Sequence, residues 1–449
     1  MTAVPERDAW KALIALVIGF FMILVDQTIV AVATEAFVTQ LGATTNQVIW
    51  VTSAYLLAYV VPLLFTGRLG DQVGPRAVSI AGLVLFTAAS LWCGLAGSVE
   101  TLIVARVFQG FGAALLTPQS LSVITRVFAP DRRGAAMGTW GAVAGIASVV
   151  GPVFGGVLID AFDWRAIFFV NIPFGVLAVV LVWLWVPRLE TRPHTYDGTG
   201  ILLSALGMFL LVFGIQQGES HGWGGTTTAL IVAGAVGLAA FVWWQTRVRT
   251  EPLVPLRLFR DRNFSIGTFG VSTIGFVTAG TMVPLMFYLQ GVTDLSPTRA
   301  GLMLLPMALI AGVLAPVVGR WADRVDPRLF TGIGYFSYAA SLFWLALVMD
   351  SSTSVPVLLG PIALMGVANG CVWAPTSSTA MRRLDLASAG AGSGVYNTTR
   401  QVGAVLGSAA IGAVMQARLA VHGDVGQAVG GAMVLPPGVV LLGGLVFVA

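Results

Sequence analysis

Two charged residues within apolar stretches of the sequence, Asp26 and Arg106, have the chemistry needed to carry a proton. Asp26 lies seven residues before an apolar run ends near residue 33, and Arg106 lies six residues after another run begins near residue 100. At 1.5 Å per residue, the two side chains would lie about 10 Å and 9 Å below the same membrane surface. A carboxyl group that alternates between a guanidinium partner and a proton is a proton carrier. The alternative is a static buried ion pair that locks two helices together.

The composition indicates that membrane helices position these residues. The chain has 449 residues, of which 57% are hydrophobic and 10% are charged, and its mean hydropathy is +0.88. Soluble domains carry about 25% charged residues, so the composition excludes a soluble globular protein, a disordered chain and a disulfide-rich secreted domain. A membrane helix needs roughly 20 apolar residues. Fourteen runs meet this need, at 12–33, 47–67, 77–97, 100–124, 136–160, 166–186, 199–216, 228–246, 264–290, 300–319, 329–349, 355–379, 389–416 and 430–449.

Asp26 is the only carboxylate away from the ends of these predicted spans, since Glu100 and Asp160 stand at the end residues of theirs. A charge at the centre of a membrane helix costs roughly 2.5–3.5 kcal/mol on insertion scales, so an embedded charge indicates function. Arg400 is the other embedded arginine, in the middle of span 13. It is expected to face a watery cavity, to bond backbone carbonyls or to hold an anionic group, with binding and structural roles equally open.

The residue composition does not support nucleotide hydrolysis, metal binding or nucleophilic catalysis. The chain has a single lysine, Lys11, so it lacks the Gly-Lys pair of a Walker A phosphate-binding loop. Its histidines are scattered in predicted loops, and its two cysteines, Cys93 and Cys371, are 278 residues apart. No metal, disulfide or clustered nucleophile is predicted. We therefore expect no enzyme activity and no cofactor, with the proton gradient as the energy source.

The distribution of positive charge predicts the orientation. With the N-terminus in the cytoplasm, the cytoplasmic segments hold 19 of the 24 basic residues and the outer loops hold three. Cytoplasmic loops are enriched in Lys and Arg, so a multi-pass protein of the cell membrane with a cytoplasmic N-terminus is expected. The net charge of +4 is then explained by the topology and by contacts with lipid headgroups, and no nucleic-acid partner is predicted.

No cleavable signal is evident, and because the last run ends at Ala449 without a basic tail, we expect the natural chain to continue or this span to be partial.

Two short loops repeat each other. Residues 67–76, GRLGDQVGPR, follow span 2, and residues 319–328, GRWADRVDPR, follow span 10. Six positions agree in register at an offset of 252, and Pro118 with its following serines is echoed by Pro375 at an offset of 257. Parallel repeats of this kind are typical of transporters with a substrate site near the midplane between the halves. Chance recurrence of short basic loops is the alternative.

These motifs resemble those of the major facilitator superfamily and its fourteen-span drug/proton antiporter family. Residues 67–76 resemble the cytoplasmic loop signature G-x-L-x-D-x-x-G-x-R/K, and Val25 to Ala33 resembles the first-helix signature of the antiporters. Span 4 contains R-x-x-Q-G-x-G-A-A at residues 106–114, and span 5 contains G-P-x-x-G-G at residues 151–156, which is associated with exporters. Residues 164–173 and 397–403 also resemble the family. The sequence departs from it at Pro75, where a basic residue is usual, and after Ala31.

The resemblance implies proton coupling by Asp26 and Arg106, on helices that are neighbours in this family, and a conformational gate in the loop and span-5 motifs. Asp71 and Asp323 are expected to cap a helix N-terminus or to pair with arginine across the halves, the alternative being solvated loop charge. The G-x-x-x-G pair in span 5 is expected to seal the cytoplasmic side or to act as a hinge, the alternative being ordinary close packing. The predicted gate residues are Gly67, Asp71, Arg76, Gly151, Pro152, Gly155, Gly156, Gly319, Asp323 and Arg328.

Aromatic and amide side chains within the spans are candidates for binding an amphiphilic substrate, because they stack and form adaptable hydrogen bonds. A structural role for each, or an interfacial one for Trp50, is the alternative. The candidates are Trp50, Tyr55, Tyr59, Gln109, Tyr288, Gln290, Asn369, Trp373, Asn397 and Arg400.

The predicted fold is an all-α polytopic membrane protein with the major facilitator architecture, two six-helix pseudo-repeats and two inserted central helices. The predicted domains are residues 1–195, the inserted pair at 196–250, and residues 251–449. The predicted function is proton-coupled export of amphiphilic small molecules by a monomer whose partners are its substrate, protons and membrane lipids. Export of an endogenous lipid or secondary metabolite is the main alternative, and a proton-coupled importer or a membrane sensor is less favoured.

Overall fold

The computed structural model describes residues 5–129, 132–191, 197–221, 223–248, 251–322, 325–385, 388–419 and 425–448. The described part is built from helices and contains no β-strand, which confirms the predicted all-α class. The α-helices are α1 (Glu6–Ile29), α2 (Thr34–Leu41), α3 (Thr45–Val60), α4 (Leu63–Val73), α5 (Pro75–Gly94), α6 (Val99–Val127), α7 (Arg133–Ala161), α8 (Ala166–Phe169), α9 (Asn171–Trp185), α10 (Gly198–His221), α11 (Gly225–Arg247), α12 (Arg262–Phe287), α13 (Pro297–Met303), α14 (Leu305–Ala322), α15 (Pro327–Val348), α16 (Leu359–Met381), α17 (Ala389–Leu419), α18 (Val425–Ala432) and α19 (Leu435–Val448).

The described helices include eleven that are long and apolar enough to cross a membrane, or twelve if a bent pair counts as one span. Two further helices, α7 with 29 residues and α17 with 31, exceed the length a span needs at 1.5 Å per residue. A multi-pass membrane protein is therefore confirmed, whereas the number fourteen stays a prediction.

Prolines break or end several of the predicted continuous spans. Predicted span 2 consists of α3 and α4, which are bent by 45° at Val61 and Pro62, because proline lacks the N–H that would continue the helical bonding. Predicted span 14 consists of α18 and α19, and Pro436 falls at the start of α19, where a missing N–H is tolerated. Predicted span 6 consists of two helices, α8 and α9, that meet at Val170.

The chain forms two compact units. The first contains Met1–Pro130, Val150–Asp261 and Arg383–Thr398, and the second contains Asp131–Val149, Arg262–Arg382 and Thr399–Ala449. In the first unit α6 packs against α1, α3, α4 and α5, while α9 packs against α1 and α5. In the second unit α16 packs against α12, α14 and α15, and α19 packs against α12 and α15.

The predicted inserted pair is a helical hairpin. α10 and α11 pack along each other, and α10 also contacts α3. Asp197 holds the two ends of the hairpin together, because it accepts hydrogen bonds from Trp244 Nε1 at 2.9 Å and Gln245 Nε2 at 2.7 Å near the end of α11. It also accepts the backbone N–H of Gly200 at 2.8 Å in the first turn of α10.

The proline echo lies inside two corresponding helices, Pro118 in α6 and Pro375 in α16. A proline inside a helix leaves the carbonyl four residues earlier without its usual donor. For Pro118 that carbonyl belongs to Ala114, and the hydroxyl of Thr66 donates to it at 2.7 Å. A side chain of α4 therefore satisfies the backbone where α6 is interrupted, as a membrane interior requires.

Candidate functional site

Asp26 and Arg106 form an ion pair in the first unit. Arg106 Nη1 lies 2.5 Å from Asp26 Oδ2, and both side chains are fully buried. Asp26 lies in the last two turns of α1, and Arg106 lies in the second turn of α6. The pairing predicted from matching depths is present because α1 and α6 are neighbours.

Two side-chain amides complete the surroundings of the Asp26 carboxyl group. Gln109 Nε2 donates to Asp26 Oδ1 at 2.8 Å, and Asn171 Nδ2 donates to the same oxygen at 2.9 Å. Gln109 lies one turn after Arg106 on α6, so both face α1. Asn171 is the first residue of α9. Every described partner of the carboxyl group is a hydrogen-bond donor.

The orientation of the Gln109 amide follows from its other contacts. Its Oε1 accepts from Arg106 Nη1 at 2.6 Å, and its Nε2 also donates to Ser90 Oγ at 2.8 Å. Reversing the amide would place its oxygen against the carboxylate of Asp26. Gln109, a predicted substrate residue, is thus part of the charged cluster.

Arg106 has partners besides Asp26. Its Nε donates to the backbone carbonyl of Val51 at 3.1 Å, and its guanidinium carbon lies 4.1 Å from the centre of the Tyr55 ring. The Phe168 ring is 5.9 Å away. A guanidinium over an aromatic face is stabilised without a carboxylate. Arg106 therefore keeps several contacts if its bond to Asp26 is broken.

A second buried carboxylate, Asp71, meets the first turn of α17. Its Oδ1 accepts the backbone N–H of Gly390 at 2.9 Å and its Oδ2 accepts that of Ala391 at 3.0 Å. The first N–H groups of a helix lack intrahelical acceptors, and an anion there is stabilised by the helix dipole. Arg126 Nη2 also pairs with Asp71 Oδ1. The predicted contact with a helix N-terminus is present, while the arginine partner comes from α6, within the same predicted half as Asp71.

The glycines that open the two repeated loops make the same kind of helix crossing. A Cβ on Gly67 in α4 would lie 2.5 Å from the carbonyl oxygen of Gly390 and 2.9 Å from Cα of Gly394 in α17. A Cβ on Gly319 in α14 would lie 2.5 Å from the carbonyl oxygen of Gly134 and 3.0 Å from Cα of Gly138 in α7. In each case a loop glycine packs against a G-x-x-x-G pair, a pattern that lets helix backbones approach closely.

The span-5 glycines bring α7 against α1. A Cβ on Gly151 would lie 1.9 Å from Thr28 Oγ1, and one on Gly155 would lie 2.6 Å from Ile29 Cγ1. Gly156 is buried, and the side chain of Pro152 lies outside the described residues. The crossing adjoins Asp26 at the end of α1 that the predicted topology places toward the outer surface. Both predicted roles of this crossing, a seal and a hinge, stay predictions.

The remaining predicted gate residues are less closely engaged. Arg76 Nη2 donates to the carbonyl of Trp183 at the end of α9. Gly74, between Asp71 and Arg76, has φ 101°, which favours glycine, and Pro75 begins α5. Arg328 is exposed in the first turn of α15, where its backbone N–H donates to Asp326. Asp323 lies outside the described residues.

Among the substrate candidates in the first unit, two tyrosines are fully buried. Tyr55 stacks near Arg106, and its hydroxyl has no hydrogen-bond partner among the described residues. The Tyr59 hydroxyl lies 3.0 Å from Thr117 Oγ1. Trp50 is half-buried, with its ring 5.6 Å from that of Phe213 in α10. Tyr55 is the only one of these three with a described contact to the charged cluster.

The candidates in the second unit divide into two groups. Trp373 Nε1 donates to Asn369 Oδ1 at 3.1 Å within α16, so these buried residues form a polar pair. The Tyr288 hydroxyl donates to the backbone carbonyl of Asp350 at 2.6 Å, and Gln290 is exposed. Tyr288 therefore ties a helix end to a loop.

Two candidates on α17 retain buried polar atoms without hydrogen-bond partners among the described residues. Asn397 Nδ2 donates to the carbonyl of Ser393 at 3.0 Å, but its Oδ1 has no such partner. Arg400 is 9% exposed, and its Nε and Nη2 atoms have none. Such atoms in a buried helix are available to a ligand.

Sequence reasoning did not select Asn171 or Arg126 as site residues. Asn171 is part of the F-F-V-N-I-P motif at residues 168–173, so the motif was a signal, but the break between α8 and α9 places its side chain. Arg126 is one of the basic residues that the predicted topology assigns to the cytoplasmic side. Its pairing with Asp71 depends on the packing of α4 against α6.

Within the described residues no group of three or more metal-ligating side chains occurs. The buried features are instead paired charges within membrane-crossing helices and close glycine contacts, an arrangement typical of a transporter.

The comparisons with known proteins agree with this class. The sequence profile of the Major Facilitator Superfamily matches residues 16–408, and the chain belongs to this superfamily of transporters. It is 48% identical, over 92% of its length and 72% of the relative's, to an uncharacterised transporter of this type from Mycobacterium tuberculosis. It is 36% identical, over 93% of its length and 77% of the relative's, to the tetracenomycin C resistance and export protein of Streptomyces glaucescens. It is also 34% identical, over 90% of its length and 84% of the relative's, to the cephamycin export protein CmcT of Amycolatopsis lactamdurans.

Solved structures show the same fold. The proton:xylose symporter XylE matches with a TM-score of 0.70 over 98% of this chain and 95% of that chain, at 14% identity. The human organic anion transporter MFSD10 matches with a TM-score of 0.66 over 99% of this chain and 100% of that chain, at 15% identity. At these identities the likeness supports the fold alone.

Proposed function

We propose that this protein is a proton-coupled exporter of amphiphilic small molecules that works by alternating access. The observation that carries the proposal is the buried carboxyl group of Asp26, paired with Arg106 and held by two amides. Curated relatives that cover most of the chain include multidrug and antibiotic export proteins. Export is the direction these relatives support, and a gradient-driven transporter needs no cofactor.

In the proposed cycle, Asp26 alternates between two sets of partners. In the charged state it accepts from Arg106, Gln109 and Asn171. Substrate binding or a helix movement separates Arg106 from Asp26 while its contacts with Val51 and Tyr55 remain, and Asp26 then takes a proton from the outer side. When the pair re-forms, the proton leaves toward the cytoplasm, because a carboxyl group beside a guanidinium favours its charged form.

The Asp71 cluster is proposed as the gate at the other end of the helices. Its bonds to Gly390 and Ala391 and its pair with Arg126 hold α4 against α17, and the glycine crossing at Gly67 permits this close approach. Opening toward the cytoplasm would break these contacts. The equivalent crossing at Gly319 is proposed to do the same for α14 and α7, with Asp323 and Arg328 as accessory charges.

The topology and organisation complete the proposal. The N-terminus is cytoplasmic, fourteen helices cross the membrane, and residues 1–195 and 251–449 are the two repeats that flank the inserted pair. The working form is a monomer in contact with membrane lipids. Tyr55, Tyr59, Asn369, Trp373 and Asn397 are the proposed substrate contacts, and the protein performs transport without enzymatic chemistry.

Export of a secondary metabolite is the second candidate. The relatives named for tetracenomycin C and cephamycin export favour it. The same proton site would serve, so the two candidates differ in substrate and not in mechanism.

The deciding experiment measures proton entry into proteoliposomes under an imposed inward pH gradient, with a panel of cationic, neutral and acidic amphiphiles. Wild type and Asp26→Asn are compared at equal amounts of folded protein, and Asp385→Asn, at an exposed position, is the matched control. We expect substrate-triggered proton flux in the wild type and the control, and none in Asp26→Asn. Unchanged flux in Asp26→Asn would remove the proposed mechanism. Flux without transport of any panel member out of the vesicles would argue against antiport.

A further inference from the structure

Arg400 is a buried charge without a described counterion. Four charged side chains are buried in the described part of the chain, Asp26, Asp71, Arg106 and Arg400. Asp26 pairs with Arg106, and Asp71 pairs with Arg126. Arg400 alone of the four has no described ion pair, and two of its three guanidinium nitrogens are buried without a hydrogen-bond partner in the part of the chain that the structure describes.

The position of Arg400 is deep within a helix. It is the twelfth residue of the 31-residue helix α17, about 17 Å along the axis from the first residue. At this turn α17 packs tightly on α12 in the second unit, because a Cβ on Gly275 would lie 2.2 Å from the carbonyl oxygen of Arg400. A Cβ on Gly403 would similarly lie 2.1 Å from the carbonyl oxygen of Ser272. Protein surrounds Arg400, so bulk water does not supply the missing partners.

An uncompensated charge in such a place is costly, and proteins keep one where it has a use. Arginine remains charged in proteins, so the cost is not relieved by losing a proton. Its planar guanidinium presents parallel N–H groups that match the two oxygens of a carboxylate or of a similar oxyanion. The described acidic residues of the second unit, Asp294, Asp326 and Asp350, lie between helices and not within them, so none is embedded beside Arg400.

We propose that Arg400 forms an anion-binding site that receives the carboxylate, or an equivalent singly charged oxyanion, of an acidic amphiphile. This inference rests on the proposed export function and narrows its substrate class. The free Nε and Nη2 atoms donate to the two oxygens of the anion, while the apolar part of the ligand lies among the surrounding side chains. An anion leaving the cell and a proton entering it both carry positive charge inward, so a membrane potential that is negative inside assists the exchange.

The test uses two probes that differ only in charge. Dansylglycine carries a carboxylate, and dansylglycinamide carries an uncharged amide on the same fluorophore. Binding of each to the full-length purified protein is measured by fluorescence titration, without any proton gradient. We expect the wild type to bind dansylglycine about tenfold more tightly than the amide, as a charge-assisted hydrogen bond provides.

Variants assign the preference to Arg400. Arg400→Gln should remove the preference for the anion, and Arg400→Lys should keep part of it because the charge remains. Arg299→Gln, which removes the same charge from an exposed position in α13, should bind both probes as the wild type does. Equal binding of the two probes by the wild type would overturn the proposal, and so would a preference that survives in folded Arg400→Gln.

An anionic lipid headgroup has the same chemistry as an acidic substrate, so the titration is repeated in nanodiscs with and without phosphatidylglycerol. Competition by this lipid would support the anion site and identify a lipid as an occupant, whereas no competition would favour a soluble substrate. Failure of the proton-flux experiment, with the dansylglycine preference intact, would leave the anion site standing and remove proton coupling. Failure of the binding test, with proton flux intact, would remove the anion site and leave proton coupling standing.

Discussion

The side-chain amide of Asn171 donates a hydrogen bond to Oδ1 of Asp26 across 2.9 Å. Asn171 opens α9, and Asp26 lies near the end of α1. This bond therefore joins the proposed proton site to α9, which contributes no charged residue to the described cluster. Both side chains are buried. Asn171 is a positioning residue in the proposed mechanism, since it acts on transport only through Asp26.

Replacing Asn171 should weaken the coupling of transport to protons. Asn171→Leu removes one of the two amide donors to Oδ1 of Asp26, so the carboxyl group is held less firmly. Substrate-triggered proton flux in proteoliposomes should fall about tenfold, from the usual strength of a hydrogen bond to a charged group. Asn171→Ser, which retains a donor, should lose less of the flux.

A purely structural role for Asn171 would lower the amount of folded protein and leave the proton flux per folded molecule unchanged. Asn263→Leu, the same exchange at the start of α12 in the other unit, is the control. A proton flux per folded molecule in Asn171→Leu that equals the wild-type flux would contradict the positioning role.

The ion pair should show strong coupling in a double-mutant cycle. Arg106→Gln leaves the Asp26 carboxylate buried with only neutral donors, and loss of one partner from a buried pair costs about 3–5 kcal/mol. The double variant Asp26→Asn with Arg106→Gln removes both charges and should recover most of this loss. Thermal unfolding of the purified proteins checks the order of stability, and proton flux should be absent from both.

If the double variant were as unstable as Arg106→Gln, the cost would arise from lost contacts of the guanidinium with Tyr55 and Val51, and not from the stranded charge. Arg106→Lys separates the two effects, because it keeps the charge and loses the planar stacking.

The two glycine crossings predict a matched pair of transport defects. Gly67→Ala places a methyl group 2.5 Å from a backbone oxygen of α17, and Gly319→Ala does so against α7. Backbone cannot move aside as a flexible side chain can, so each pair of helices must separate. We expect transport to fall at least about tenfold in each variant, the loss that a barrier increase of about 1.4 kcal/mol produces.

Gly97→Ala is the control for this pair, since a Cβ at that position meets nothing within 4 Å. It should transport at the wild-type rate. Wild-type rates in Gly67→Ala and Gly319→Ala would mean that the crossings are not part of the gate.

The ion pair and the two crossings differ in how far sequence could predict them. Helix rise alone places Asp26 and Arg106 at one depth, and the repeated loops mark Gly67 and Gly319, so these features were accessible from the sequence. The partners of Asp71 were not, because the N–H groups it accepts belong to residues more than 300 positions later in the chain. The bend at Pro62 was also not predicted, because the hydrophobicity of a run of residues does not show where the helix axis changes direction.

Asp197 provides a prediction outside the membrane-crossing helices. Partial burial acts to raise its pKa, but hydrogen bonds from Trp244, Gly200, Gln245 and the backbone of Leu253 outweigh burial and hold the pKa below its ordinary value. A carboxyl group whose pKa is lower in the folded state stabilises the protein above its unfolded pKa, and the contribution is lost as the pH falls through the folded value. The α10–α11 hairpin should therefore loosen in acid.

Asp197→Asn should lower the thermal unfolding temperature at pH 7 and flatten its dependence on pH below about 4, near the ordinary pKa of an aspartate. Unfolding of the purified protein in detergent, followed from pH 7 down to pH 3, measures both effects. Asp385→Asn, at an exposed position before α17, should leave the unfolding temperature at pH 7 unchanged. An unchanged acid dependence in Asp197→Asn would show that other carboxylates govern it, and an unchanged unfolding temperature at pH 7 would show that an amide replaces the bonds to Trp244 and Gln245.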